Sequence, residues 1–291
     1  MYRRENYTHR IYSALEIPMN PDETVNEENL RRLVEYELSQ GVEGFYCSGS
    51  SGEALLLTLE EREKVLEILL DQVRGRVPVI PQIGTIRTKD VIELAKHAAE
   101  LGVEAVSMIP PYYYQFTMEE IIGYYRDVLE AVPGLGIIVY NIPQFTGIEF
   151  SKENAHGLLE LPGIVGVKHT SRNLYSMERM KAAYPELILF NGFDEQFAGS
   201  LAMGADAAIG TTVNVFAPLF LEIRSLFEAG KVQAALEKQA ELNRRVEILC
   251  RCGIFSGVKY ILTKRGIDCG DCRRPFGQLR EEAKKALDQI V

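Results

Sequence analysis

Gly102-Val103-Glu104-Ala105-Val106-Ser107-Met108-Ile109 is the stretch that decides the fold. A glycine closes one element, an acidic residue follows, and an apolar run of strand length begins. The same junction occurs at Gly41-Val42-Glu43-Gly44 and at Gly204-Ala205-Asp206-Ala207, each just ahead of another short apolar run. Glycine ends a helix there because it enters the left-handed conformation at no steric cost. A junction that recurs within one chain points to a repeated structural unit.

Outward from these junctions, short apolar runs alternate with helical patterns at a spacing of roughly 30 residues, as in repeated βα units around a parallel sheet. Strands are predicted at residues 13–18, 44–47, 78–82, 105–109, 136–141, 164–169, 187–191 and 207–210. Between them lie amphipathic stretches such as 58–73. There Leu59, Val65, Leu66, Leu69 and Leu70 recur at helical spacing, and Glu60, Glu61, Arg62, Lys64 and Asp71 are expected to face away. After the eighth strand the pattern is helical throughout, at 217–228, 231–250, 254–264 and 279–290. The expected fold is α/β, a (β/α)8 TIM barrel over residues 1–230. A C-terminal helical appendage over 231–291 is expected to pack on it, since no Pro/Gly/Ser-rich linker intervenes.

The chain has 291 residues, 46% hydrophobic and 25% charged, which is the composition of an ordinary globular protein with a sizeable core. A net charge of −9, with basic residues scattered among acids, argues against a nucleic-acid partner. No apolar run approaches the roughly 20 residues of a membrane span. Met1-Tyr2-Arg3-Arg4-Glu5-Asn6 has no apolar stretch behind its arginines, so the expected location is the cytoplasm. The five cysteines are an odd number, which suits reduced thiols. Cys269 and Cys272 have zinc-ligand spacing, but Cys250 and Cys252 would point to different faces of a helix, so no metal site is expected.

In such a barrel the reacting groups sit where strands end at their C-terminal side. The sixth strand runs Gly163-Ile164-Val165-Gly166-Val167-Lys168-His169-Thr170-Ser171, with a lysine directly after an apolar run. Either its tip escapes to solvent, or it is an amine nucleophile toward a ketone, which must be uncharged to react. For that its pKa must fall by about three units, roughly 4 kcal/mol of differential stabilisation. The fifth strand ends at Tyr140, a phenol able to move a proton or simply to cap the core. Adjacent strands lie about 4.8 Å apart, so the two groups can share a substrate. Ser48-Gly49-Ser50-Ser51-Gly52-Glu53 after the second strand is a small-residue turn whose N–H groups can hold an anion. Asn191-Gly192-Phe193-Asp194-Glu195 after the seventh offers carboxylates for hydroxyl groups, or the acidic first turn of a helix.

Taken together, Gly49-Ser50-Ser51-Gly52-Glu53, Tyr140-Asn141-Ile142-Pro143, Lys168-His169-Thr170-Ser171 and Asn191-Gly192-Phe193-Asp194-Glu195 resemble the dihydrodipicolinate synthase and N-acetylneuraminate lyase superfamily over nearly the whole chain. The stretch from Lys168 to Glu178 resembles the sialic-acid branch. The synthase branch usually carries an arginine two residues after the Tyr-Asn-x-Pro proline; Phe145 stands there, without the fork that a second carboxylate needs.

The resemblance implies a class I aldolase acting on a 2-keto sugar acid, with N-acetylneuraminate giving pyruvate and N-acetylmannosamine, and with no cofactor. It implies imine formation by Lys168, proton exchange by Tyr140, and carboxylate binding by Ser50 and Ser51. Thr170, Gly192, Asp194, Glu195 and Thr211 match sugar-chain positions. Tyr113 matches a tyrosine that reaches a neighbouring subunit's site, which implies a homotetramer. The family's Thr-Pro-Phe after the first strand is replaced by Ile17-Pro18-Met19. A keto-deoxy sugar acid aldolase or a dihydrodipicolinate synthase is the alternative enzyme, and a silent sugar-acid-binding regulator is the alternative outside catalysis.

Overall fold

The computed structural model describes residues 2–291; Met1, which begins the N-terminal stretch read above, lies outside the described residues. The strands are β1 (Ile11–Ala14), β2 (Gly44–Cys47), β3 (Val79–Pro81), β4 (Ala105–Met108), β5 (Gly136–Asn141), β6 (Ile164–His169), β7 (Ile188–Asn191) and β8 (Ala207–Gly210). They form one sheet in the order β3-β2-β1-β8-β7-β6-β5-β4, and a parallel bridge from Gln82 to Ser107 sets the end of β3 beside β4. The strands that alternate with helices thus make the (β/α)8 TIM barrel that the repeated junctions predict.

The helices are α1 (Glu27–Ser39), α2 (Leu59–Val73), α3 (Thr88–Glu100), α4 (Met118–Ala131), the short α5 (Pro143–Thr146) and α6 (His156–Leu159), α7 (Leu174–Ala183) and α8 (Phe197–Ala202). After β8 come α9 (Val213–Glu228), α10 (Val232–Cys252), α11 (Ile254–Lys264) and α12 (Glu281–Leu287). Local chemistry starts several of them. Thr58 with Glu61 and Thr117 with Glu120 form reciprocal capping boxes at α2 and α4, each satisfying two amides that have no partner within the helix.

The chain divides into two compact units: the segment up to Arg10 with Val79–Ile209, and Ile11–Pro78 with Gly210–Val291. In the first, Val106, Ile138, Val139, Val167 and Leu189 are fully buried, the mark of parallel strands covered on both faces. Within it, Tyr140 pairs in register with Lys168, and Asn141 with His169. In the second, α1 buries Leu30, Leu33 and Val34, while α10 and α11 bury Leu242, Leu249, Ile261 and Leu262. Among the described residues, no helix is long and apolar enough to cross a membrane.

Three details differ from the sequence-based reading. The first strand ends at Ala14, earlier than the apolar run, because the buried segment through Ile17 continues beyond the sheet and hydropathy cannot mark where pairing stops. Arg62, expected to face away, is buried. It falls on the stripe with Val65, Leu66, Leu69 and Val73, at offsets that one helix face dictates. The helix after β8 starts at Val213, not at 217: a turn precedes Pro218 and is joined to the rest across a non-helical Phe216 (φ −131°). Proline favours a helix start nearby, and this hid the extra turn.

Glu37 lies on the buried face of α1, and burial pushes its carboxyl up to about 8, with the Ser13 hydroxyl offsetting only part of the shift. A group raised in the folded state costs no stability below its unfolded pKa. Its cost then grows by about 1.4 kcal/mol per pH unit until the folded pKa is reached. Glu37→Gln is therefore expected to gain stability over the parent as pH rises from 4.5 to about 8, and to keep a constant advantage above that. Thermal unfolding of both proteins across this range checks it; a pH-independent difference counts against the assignment.

Candidate functional site

Lys168 follows an apolar run in β6, so folding takes its side chain out of water. It is 4% exposed, and its Nζ lies 3.9 Å from the centroid of the Tyr140 ring. Burial lowers its pKa, while the Tyr140 hydroxyl and the Asp194 carboxylate pull the other way without overcoming burial. The net direction is toward the neutral amine, the form that attacks a carbonyl. Tyr140 is itself buried with Ile109 and Ile142, and Tyr112 packs against that cluster.

The same unit gathers further sequence-predicted residues. Gly192 donates its N–H to the His169 carbonyl at 3.0 Å. A Cβ at Gly192 would lie 1.9 Å from Thr170 Oγ1, so these two chain segments meet only because this residue is glycine. Thr170 Oγ1 is buried without a protein partner and can serve a ligand. Asp194 is buried and Glu195 half-buried; both open a 3-10 helix, Asp194–Gln196, that carries no side-chain cap. Tyr113 is 86% exposed and holds a left-handed backbone (φ 77°), uncommon for a residue with a Cβ.

The second unit holds the small-residue turn. Ser51 and Thr211 share a hydrogen bond of 2.8 Å between their hydroxyls, while Ser50 is half-buried. Gly49 is required because a Cβ would strike the Tyr46 ring at 2.6 Å. Glu53 closes the turn in the left-handed region (φ 54°). Its carboxylate accepts from Lys259 Nζ at 2.5 Å and from the Arg273 amide at 2.6 Å.

Lys259 is a second buried lysine that the sequence reading passed over. It lies mid-helix in α11, where its amphipathic pattern gives no warning. Burial works against its charge, yet Glu16 and Glu53 outweigh it and hold the ammonium form. The two lysines are therefore not interchangeable candidates: Lys259 is committed as a cation to an ion pair, and Lys168 is driven toward neutrality. The late cysteines differ in their burial. Cys250 is exposed, Cys252 is half-buried with Sγ 3.7 Å from the Ala283 carbonyl, and burial pushes the Cys272 thiol up to about 12.

The chain matches the Dihydrodipicolinate synthetase family over residues 7–291. It is 39% identical over 281 residues to an N-acetylneuraminate lyase of Rhizobium meliloti, covering 97% of this chain and 93% of that one. It superposes with a TM-score of 0.94 on a Ruminococcus gnavus sialic acid aldolase, a catalytic lysine mutant, at 30% identity and covering 99% and 96% of the two chains. A Fusobacterium nucleatum N-acetylneuraminate lyase complexed with pyruvate superposes with a TM-score of 0.93 at 33% identity, covering 100% and 98%.

Lys259→Met, which leaves Glu53 buried without its cation, is expected to destabilise the fold by roughly 3–5 kcal/mol in urea unfolding. Adding Glu53→Gln to it should recover part of that loss. A single variant as stable as the parent would refute the reading of Lys259 as a structural cation.

Proposed function

Because the chain belongs to the dihydrodipicolinate synthetase family, we propose that Lys168 is its Schiff-base-forming amine, in an aldolase that reversibly cleaves N-acetylneuraminate to pyruvate and N-acetylmannosamine. The enzyme is a class I aldolase of the N-acetylneuraminate lyase type. The observation that carries the assignment of the lysine is its burial beside Tyr140, with burial shifting it toward the neutral amine.

The neutral amine attacks the C2 ketone of the open-chain sugar acid, and loss of water gives an iminium that draws electrons from the C3–C4 bond. As that bond breaks, the C4 hydroxyl proton passes to Tyr140 or to the substrate carboxylate, leaving an enamine of pyruvate and a free sugar aldehyde. Protonation at C3 and hydrolysis release pyruvate and restore the amine. The lysine supplies the electron sink, so the sequence of steps draws on no metal, nucleotide or flavin.

Other roles follow the family match. Ser50 and Ser51 hold the substrate carboxylate; Thr170, Gly192, Asp194, Glu195 and Thr211 serve the sugar chain. The unpartnered Thr170 hydroxyl supports its place in that set. The strained, exposed backbone of Tyr113 supports a contact to a neighbouring subunit in a homotetramer, since such conformations persist where something repays them. The division of labour is a catalytic barrel over 1–230 with the helical appendage 231–291, and the setting is cytoplasmic.

Incubation with pyruvate and borohydride is expected to fix a three-carbon adduct on Lys168, and Lys168→Arg to abolish both the adduct and pyruvate release from N-acetylneuraminate. An unmodified Lys168 peptide, or normal turnover by the arginine variant, rejects the proposal. Because the Lys168 pKa is lowered from 10.5, its neutral fraction rises with pH through a window below that value. The trapping rate should climb there and level off before pH 10.5.

A further inference from the structure

We propose that His169, held as one neutral tautomer between Asn141 and Asn173, is a positioning residue that fixes the ends of β5 and β6 for imine chemistry at Lys168. This rests on the reading of Lys168 given above.

Strand alternation sends Tyr140 and Lys168 to one side of the sheet and their neighbours Asn141 and His169 to the other. Both neighbours are buried, 0% and 1% exposed, and they lie opposite each other in register. The Asn141 amide is oriented without ambiguity. Its Oδ1 accepts the Phe150 N–H at 3.0 Å, and its Nδ2 donates to the Phe150 carbonyl at 3.3 Å. The same Nδ2 lies 3.1 Å from His169 Nδ1. An amide nitrogen only donates, so Nδ1 must accept and the ring proton sits on Nε2. From there it is donated to the Asn173 carbonyl at 3.1 Å.

The chain of bonds ties three elements together. Asn141 anchors the segment that returns from β5 through Phe150. Asn173 starts α7, accepting the Ser176 N–H on its side chain at 3.0 Å. A second tie runs alongside: Ser171 Oγ donates to Glu149 and accepts the Asn173 N–H at 3.1 Å. Protonation of Nδ1 would set two donors face to face and break the link. Burial opposes that protonation and lowers the His169 pKa from 6.5, while the Asn173 carbonyl and the Glu149 carboxylate favour it less strongly. Glutamine can both accept and donate at this place; leucine fills the volume and does neither.

The test compares the parent with His169→Leu and His169→Gln, each checked for folding by circular dichroism, using borohydride trapping of pyruvate and the kcat and KM of N-acetylneuraminate cleavage. The leucine variant is expected to lose trapping rate and kcat by roughly 10- to 100-fold with a smaller change in KM, as displaced reacting groups do. The glutamine variant should recover most of that loss and keep the pH dependence set by Lys168, without the additional loss below pH 6.5 that the parent shows. If leucine lowers only thermal stability and leaves kcat and trapping at parental levels, or if glutamine and parent share the same additional loss below pH 6.5, the inference fails. A parent that traps no pyruvate on Lys168 instead rejects the assignment of the lysine, and this inference with it. Should the leucine variant not fold, the comparison of glutamine and parent below pH 6.5 decides alone.

Discussion

The constraint on which the site depends is the free-energy cost of keeping an ammonium group out of water. At the end of β6 the Tyr140 hydroxyl and the Asp194 carboxylate do not outweigh that cost, so the amine is driven toward neutrality. At Lys259 the same cost is met by Glu53 at 2.5 Å and by Glu16 nearby, so the charge is kept. Identical side chains, both buried, end with opposite tendencies because at Lys259 a directly paired carboxylate and its neighbours outweigh burial, while at Lys168 burial outweighs Tyr140 and Asp194.

Much of this could be read from the residues. The recurring glycine junctions placed the strands to within a few positions, because a helix stop followed by a short apolar run leaves few alternatives. Lys168 stood out because a long cation after an apolar strand is costly unless it has a task. Arg62 and Lys259 escaped notice for the converse reason. Cations are common on helices, and only the three-dimensional face on which they fall separates a solvated one from a buried one. The Asn141–His169 link was equally hidden, since histidine after lysine carries no pattern of its own and its meaning lies in a partner 28 residues away.

The site is also built by residues that contribute no functional group. Gly192 allows the seventh strand's exit to approach Thr170, and Gly49 lets the small-residue turn pass the Tyr46 ring. In each case the absence of a side chain sets where a neighbouring hydroxyl can sit. A reading limited to polar residues names the donors but misses what brings them within reach.

The Glu53 carboxylate has a further implication for how the chain can be shortened. Its two partners, Lys259 and the Arg273 amide, come from sequence more than 200 positions later. A polypeptide cut ahead of α11 would retain an anion in a dry interior with nothing to neutralise it. The helices after β8 therefore cannot be trimmed as an ornament: the turn behind β2 acquires its native electrostatics only when synthesis has passed Arg273, which makes completion of this region a late event in the life of each new molecule.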